Sequence, residues 1–400
     1  MNRKLNDGLL VIVLALLALG AYVATRPAPQ PPAPVVVPVP APAPAPAPVP
    51  APQPGPVPPQ DKATVGERSF PTGYIPNQPK TNEYINSLEK PTIREAGPEL
   101  FKDRTPVKDA KGVFLYRSLV RQYQIAYGRP WIVDTQEIGD CVSFGYMHAV
   151  AILLALDVEL GRSERFLMPD TSGIYGGSRV EARGSPGDGA RAYGGYGDGS
   201  YGSAATEFVT KWGVLFRQPY ERFDLTKYTG SRSKEWGAYG CGGKGDGGKA
   251  DEIAREHPIK QAALVVSFDE AVAAITSGYP VPVCSGQGFT STRDKNGFCS
   301  PRGSWSHCMC FVACRTEPPG LLCLNSWGPN WVGGPKFPDD QPDGSFWVDP
   351  KTATNMLSGR DSFALASIKG FPFRDLNNGD WLGTAPKPVP QAEESFVLAP

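Results

Sequence analysis

The sequence is poor in histidine and carries no excess of charge of either sign. Only three of its 400 residues are histidine, and 40 lysines and arginines balance 40 aspartates and glutamates. A chain without a net basic charge lacks the field of a dedicated nucleic-acid-binding protein, so we expect no nucleic-acid partner. None of the spacings among the eight cysteines is typical of a zinc ribbon, and we therefore predict neither a metal nor a cofactor.

Glycine and proline are abundant, with 45 and 43 residues, but their distribution is uneven. Residues 27–60 contain 17 prolines in 34 positions, mostly alternating with alanine and valine. Such a segment favours extended polyproline II at about 3.1 Å per residue. We interpret it as a disordered, proline-rich linker that serves as a stiff spacer.

An uncharged apolar run precedes this linker. Residues 8–25 follow Arg3 and Lys4, and as a helix they would span roughly 27 Å, enough for the core of a bilayer. We interpret residues 1–26 as a signal anchor that crosses the membrane through residues 8–25; a cleaved signal peptide is the alternative. Because the basic residues come first, the remainder is expected outside the cytoplasmic membrane, in the periplasm or extracellular space.

The rest of the chain is predicted to be one globular unit. We assign residues 61–129 to an N-terminal extension or possible pro-segment, 130–370 to the main domain and 371–400 to a C-terminal tail. Residues 141–160 form an apolar helical pattern, whereas residues 173–202 are rich in glycine and are predicted as loop. Strand-like runs follow after residue 280, and helices followed by strands indicate an α+β fold.

Three segments carry residues suited to catalysis. They are Gln136-Glu-Ile-Gly-Asp-Cys141-Val-Ser-Phe144, Ser306-His307-Cys-Met-Cys, and Leu322-Cys-Leu-Asn325-Ser-Trp327-Gly328. A thiol at a helix start is stabilised as thiolate, a histidine can carry its proton, and an amide oxygen can orient the imidazole. His148 is too far along the helix from Cys141 and His257 lies in a polar loop, so His307 is the candidate base.

These segments resemble the papain-like cysteine proteases. That family has a glutamine shortly before Gly-Ser-Cys-Trp-Ala-Phe, then a His-Ala-Val strand, then Asn-Ser-Trp-Gly. The resemblance covers about residues 130–350. It implies a two-lobed fold, helical and β-rich, with Cys141, His307, Asn325 and Gln136 as catalytic residues and Trp327 beside the substrate.

The chain departs from the family pattern at several positions. Gln136 lies five residues before Cys141 rather than the usual six, and Val142 replaces tryptophan. Asp140 replaces serine; it is expected to cap the helix, and its charge to oppose thiolate formation. The helical pro-segment motif is not recognisable in residues 61–125. Gly202 is a further candidate, for backbone pairing with an extended substrate.

The predicted function is a cysteine peptidase that cleaves protein or peptide substrates through a thioester acyl-enzyme. One alternative is a hydrolase of peptidoglycan peptides, for which the linker would suit the location. The other is a catalytically weak scaffold that retains the fold for binding. The oligomeric state is left open.

Overall fold

A computed structural model describes residues 62–96, 112–160, 165–183 and 198–366 of the chain. The predicted membrane segment 8–25, the linker 27–60 and the tail 371–400 lie outside these residues. Among the described residues, one helix, Cys141–Glu159, is long and apolar enough to cross a membrane. Of its most apolar 18-residue stretch, 89% is buried inside the protein.

The described residues combine helices with a central antiparallel sheet, which confirms the predicted α+β class. The helices are α1 (Gln78–Ser87), α2 (Ile93–Ala96), α3 (Tyr116–Tyr127), α4 (Cys141–Glu159), α5 (Thr171–Arg179), a 3₁₀ turn (Glu181–Arg183), α6 (Gly202–Lys211), α7 (Gly230–Tyr239), α8 (Lys249–Ala254), α9 (Phe268–Thr276) and α10 (Pro350–Leu357). The strands are β1 (Lys62–Val65), β2 (Arg68–Pro71), β3 (Gly112–Phe114), β4 (Gln261–Leu264), β5 (Val281–Arg293), β6 (Cys299–Thr316), β7 (Pro319–Leu324), β8 (Ser345–Val348) and β9 (Phe363–Ala366).

Strand β6 organises the sheet. β5 and then β3 pair along one edge of β6, β7 pairs along the other, and β8 follows β7. The β5–β6 register is regular from Val281↔Phe311 to Ser285↔His307 and is interrupted beyond that pair. His307 therefore lies where the regular ladder ends, a position typical of functional residues.

Helix α4 is the core helix of the molecule. It is apolar around its whole circumference, and almost every residue from Cys141 to Asp157 is buried. A helix that is apolar on every face needs neighbours on every side. Its first turns pack against β6: a Cβ at Gly145 would lie 2.8 Å from the carbonyl oxygen of Met309 and 3.0 Å from Cys308 Sγ. Because Gly145 has no side chain, the start of α4 packs directly against the strand that carries His307.

The loop prediction for the glycine-rich stretch is wrong at its start. Residues Thr171–Arg179 form the buried helix α5, which is capped by Asp170 through the amides of Ser172 and Gly173. A Cβ at Gly177 would lie 2.1 Å from the ring of Phe208, and one at Gly176 would lie 2.8 Å from the backbone of Gly240. Here the glycines allow helices to pack closely. Glycine is more often found in turns, which is why the sequence pattern predicted a loop.

The N-terminal residues share the core of the later ones. Ile93 and Leu119 are fully buried, and Ala63 and Tyr74 belong to the same apolar cluster as α4 and the sheet. These shared core contacts do not test whether residues 61–129 act as a pro-segment, so that role stays a prediction.

Candidate active site

Cys141 is the first residue of α4, as predicted, and its side chain is fully buried. Burial raises the pKa of the thiol well above its ordinary value, and Cys308 and Asp140 add to the rise. The backbone amides of Cys308 and Gly73 act in the opposite direction and lower the pKa. In the buried state Cys141 is therefore held as a neutral thiol.

The side chain of His307 is paired with that of Asn325. His307 Nε2 and Asn325 Oδ1 are 2.7 Å apart, and the amide of Ser326 donates to the same Oδ1 at 2.7 Å. Because an amide oxygen can only accept, Nε2 must carry the hydrogen. Nδ1 is then the unprotonated nitrogen, and it has no hydrogen-bond partner among the described residues. The tautomer that Asn325 selects is the one that a base at Nδ1 requires.

Aromatic rings enclose this pair. Trp327 packs against the imidazole of His307 with ring centroids 4.4 Å apart, and Trp305 lies 6.4 Å from it. His307 and Asn325 are 1% and 0% exposed, so water does not compete for their hydrogen bond. Burial lowers the pKa of His307 to about 4 although the bond to Asn325 favours the protonated ring.

Gln136 contacts the same region from the loop before α4. Its Oε1 accepts from Ser326 Oγ at 2.5 Å, which orients the carboxamide. Its Nε2 donates to Ile138 O at 2.8 Å and to Pro71 O at 3.2 Å. Although Gln136 is one residue closer to Cys141 than in the family pattern, its amide still donates to a main-chain carbonyl oxygen, that of Pro71. Thr135, at the family's usual position, instead pairs through its backbone with Trp327.

The structure corrects one of the two expectations for Asp140. Asp140 is the N-cap residue of α4, but its carboxylate makes no capping hydrogen bond; its backbone oxygen accepts from Ser143 Oγ. Burial raises the pKa of the Asp140 carboxyl well above its ordinary value, although Tyr228 OH donates to Oδ1 at 3.3 Å. Asp140 in turn raises the pKa of the Cys141 thiol, as expected of a carboxyl beside it.

A segment of the chain's own N-terminal region lies against these residues. We call residues 70–75 the strap. Pro71 O accepts both from Gln136 Nε2 and from Trp327 Nε1, the latter at 3.0 Å, and Phe70 stacks on Trp327 at 4.7 Å between centroids. A Cβ at Gly73 would lie 1.7 Å from Gly139 O, so only glycine fits there.

The main chain of the strap is hydrogen-bonded on both sides. The amides of Gly73 and Tyr74 donate to Ser306 O at 3.1 and 2.9 Å. Opposite them, Ser200 N donates to Gly73 O at 2.8 Å and Ile75 N donates to Ser200 O at 2.9 Å. The strap thus bridges the loop before α6 and the strand that carries His307, in the manner of an added strand.

The predicted substrate contact at Gly202 has no free main-chain group. Gly202 N donates to Asp361 Oδ2 at 2.8 Å, and Gly202 O accepts from Tyr146 OH at 2.8 Å. The backbone that pairs with an extended segment belongs to Ser200, two residues earlier, and to Ser306. Sequence reasoning missed both, although Ser200 lies close to the candidate Gly202 and Ser306 directly precedes His307.

The two other histidines lie away from this site. His148 is buried between Trp131 and Phe144 in the middle of α4, as predicted, and His257 is exposed. Within the described ranges, no three His, Cys, Asp or Glu side chains are grouped closely enough to hold a metal ion.

No family model matches this chain, and no curated protein matches it. Several solved structures of papain-like cysteine proteases are similar to it at low identity. Xylellain, a cysteine protease from Xylella fastidiosa, is 17% identical with a TM-score of 0.42, and the alignment covers 74% of this chain and 92% of xylellain. A procathepsin B from Trypanosoma congolense is 11% identical with a TM-score of 0.43, covering 74% and 87% of the two chains. A digestive procathepsin L 3 from Tenebrio molitor is 16% identical with a TM-score of 0.40, covering 72% and 79%.

Proposed function

We propose that this protein is a cysteine peptidase whose site is closed by its own strap. Cys141 is the nucleophile, His307 the base and acid, and Asn325 the residue that orients the imidazole. Gln136 stabilises the oxyanion, and Trp327 shields the His307–Asn325 hydrogen bond. Substrate main chain takes the place of the strap between Ser200 and Ser306.

The observation that carries this proposal is the peptide-like seating of the strap. An extended main chain reaches Cys141 through the amide of Gly73, bonds to backbone groups on both sides, and points one carbonyl oxygen at the Gln136 amide. A peptidase must hold a substrate main chain in this way and must offer a donor where the oxyanion develops. The site therefore has the contacts that a peptide substrate needs, and the chain itself occupies them.

The reaction begins when the strap leaves and water and substrate enter. Nδ1 of His307 takes the proton of Cys141, and the thiolate attacks the scissile carbonyl carbon. The oxyanion accepts from Gln136 Nε2 in the position now held by Pro71 O. His307 then gives its proton to the leaving amine, which leaves a thioester on Cys141. Water, deprotonated by His307, hydrolyses the thioester and frees the enzyme.

The proposal includes a location outside the cytoplasmic membrane. Residues 8–25 would hold the protein in the bilayer, and the proline-rich linker 27–60 would separate the folded part from it. If so, protease added to intact cells or spheroplasts will degrade the folded part but spare a fragment that contains residues 8–25.

The test uses full-length protein in detergent and the variant Gly73→Val, whose side chain cannot fit against Gly139. Ser69→Val is the matched control, because Ser69 is exposed on β2, just before the strap. Each protein is incubated with a peptidyl epoxide that alkylates activated thiols and, separately, with unfolded protein and peptidoglycan fragments. Mass spectrometry locates the label.

We expect Gly73→Val to label at Cys141 and to cleave unfolded protein far faster than wild type or Ser69→Val. Adding Cys141→Ala should remove both signals. Cleavage of peptidoglycan fragments alone would favour the cell-wall hydrolase. A folded Gly73→Val variant that neither labels nor cleaves would favour the binding scaffold.

A further inference from the structure

Three cysteines converge beside the candidate site. Cys284 and Cys308 face each other across β5 and β6, and their Sγ atoms are 2.9 Å apart. Cys308 follows His307 directly, and its backbone amide acts on the thiol of Cys141. We call Cys141, Cys284 and Cys308 the thiol cluster. All three are at most 1% exposed.

The strand geometry suits a covalent link between two of them. The amide of Cys284 donates to Ser362 Oγ at 3.1 Å and is therefore directed away from β6. Cys284 and Cys308 thus form a non-hydrogen-bonded antiparallel pair, whose Cα atoms are about 4.5 Å apart in a regular ladder. Disulfides span Cα separations from about 4.4 to 6.8 Å, so the pair can be joined without moving either strand.

A disulfide between Cys284 and Cys308 would have two consequences. It would fasten β6 to β5 one residue from His307, where the regular ladder ends. It would also occupy the sulfur of Cys308, which lies against Gly145 in the second turn of the helix that begins at Cys141. A free Cys308 thiol, which acts on the Cys141 thiol, would be available to capture Cys141 in an oxidising compartment.

We propose that Cys284 and Cys308 form a disulfide that keeps the Cys141 thiol free. The oxidant is a disulfide compound, RSSR, of the kind found in compartments outside the cytoplasm. One thiolate of the pair attacks RSSR and releases RSH; the other then attacks the mixed disulfide, forms the Cys284–Cys308 bond and releases a second RSH. Two protein thiols are oxidised and one RSSR is reduced to two RSH. Because both sulfurs are buried, the exchange takes place before the strands close over them.

The protective consequence rests on the proposed function, whereas the link itself can be measured without any turnover. Full-length protein is refolded with oxidised and reduced glutathione, its free thiols are alkylated in denaturant, and it is digested with trypsin without reduction. Cleavage after Lys260, Arg293, Arg302 and Arg315 yields peptides 261–293 and 303–315. We expect these two peptides to be joined, with the mass of two hydrogens lost. Fragmentation distinguishes Cys308 from Cys310 and Cys314 in the second peptide.

Two variants sharpen the test. Cys310→Ser removes another buried thiol on β6, opposite Pro282 rather than a cysteine, and should leave the link intact. Cys284→Ser should remove the link and allow Cys141 to pair with Cys308, so that epoxide labelling in the Gly73→Val background is lost until a thiol reductant is added.

Full alkylation of both Cys284 and Cys308 in the oxidised wild type would overturn the link. A Cys284→Ser variant whose Cys141 stays alkylatable in the glutathione buffer would overturn the protective role. A chain that forms the link but never labels at Cys141 after strap displacement would contradict the peptidase and leave the disulfide standing.

Discussion

Two buried histidines of this protein share most of their physical properties and differ in their neighbours. His148 and His307 are each 1% exposed, and burial lowers the pKa of each to about 4. Each is packed by aromatic rings: Trp131 lies 6.0 Å from His148, and Trp327 lies 4.4 Å from His307. Each also has one ring nitrogen without a hydrogen-bond partner in the described part of the chain.

The difference lies in what surrounds the two rings. His307 has an amide oxygen that selects its tautomer, and it precedes the residue whose amide acts on the Cys141 thiol. His148 lies two turns along α4 from Cys141, between the rings of Trp131 and Phe144. A shifted pKa therefore identifies burial in both cases, and only the arrangement of partners separates a candidate base from a core residue.

The largest expected effect comes from making the same substitution at both positions. In the Gly73→Val background, His307→Phe should lower kcat roughly 10²–10⁴-fold, the range found for general acid–base groups. His148→Phe should leave kcat close to that of Gly73→Val, because it keeps an aromatic ring in the same space. Peptide turnover and circular dichroism of both variants provide the measurement. Equal losses of kcat in two folded variants would contradict the assignment of His307.

The second prediction concerns the pH dependence of stability. A histidine whose folded pKa is about 4 and whose unfolded pKa is near 6.5 stabilises the fold fully above pH 6.5 and loses that contribution as the pH falls toward 4. The loss amounts to roughly 3 kcal/mol for each histidine. Urea unfolding at pH 7 and pH 4.5 should therefore show a smaller acid-induced decrease in His148→Phe and in His307→Phe than in wild type.

This pH test also separates the two histidines. Buried carboxyls such as Asp361, whose pKa burial raises to about 6, titrate in the opposite sense in every variant and cancel in the comparison. In Gly73→Val, water reaches His307 but not His148. Only His148→Phe should then still reduce the acid-induced loss. If His307→Phe reduces it just as much, the strap does not cover His307 in solution.

The third prediction makes His307 resemble His148 by removing its polar partner. Asn325→Ala removes the acceptor of Nε2–H of His307, so the tautomer and the ring orientation are no longer fixed; where the strap excludes water, the unpaired Nε2–H also costs about 1–3 kcal/mol. We expect kcat to fall roughly 10- to 100-fold in the Gly73→Val background. Asn325→Asp restores an acceptor oxygen and should recover part of the rate with a shifted pH profile. An unchanged kcat in Asn325→Ala would show that Asn325 does not position the base.

The residues of the candidate site could be proposed from the sequence because their chemistry depends on side-chain identity. Cys141 at a helix start, His307 on a strand and Asn325 before Ser-Trp-Gly are residue types in a chain order that few other arrangements share. Helix α4 could also be predicted, since an apolar run of that length is too long for a typical strand. The resemblance to the papain group supplied the rest of these assignments.

The parts that could not be predicted depend on main-chain contacts and register. Ser200 and Ser306 hold the strap through backbone groups that every residue possesses, so no letter in the sequence marks them. The pairing of Cys284 with Cys308 depends on a strand register set by tertiary packing. Helix α5 was missed because glycine usually indicates a turn, whereas here it allows close helix contacts.

The smallest effect is expected for Phe70→Ala, which tests whether the strap is responsible for the burial of His307. Phe70→Ala removes the ring that stacks on Trp327, with centroids 4.7 Å apart, while Pro71 O keeps its hydrogen bonds from Gln136 and Trp327. An aromatic pair contributes about 0.5–1.5 kcal/mol, so the open fraction and hence the basal peptide turnover should rise about 2- to 10-fold. Ser69→Val should leave turnover at the wild-type level. The order Gly73→Val above Phe70→Ala above wild type is expected because a steric clash expels the strap, whereas loss of one stacking contact only weakens it. If Phe70→Ala instead lowers turnover, the ring supports the His307 environment, and the burial of His307 is then as much a property of the core as that of His148.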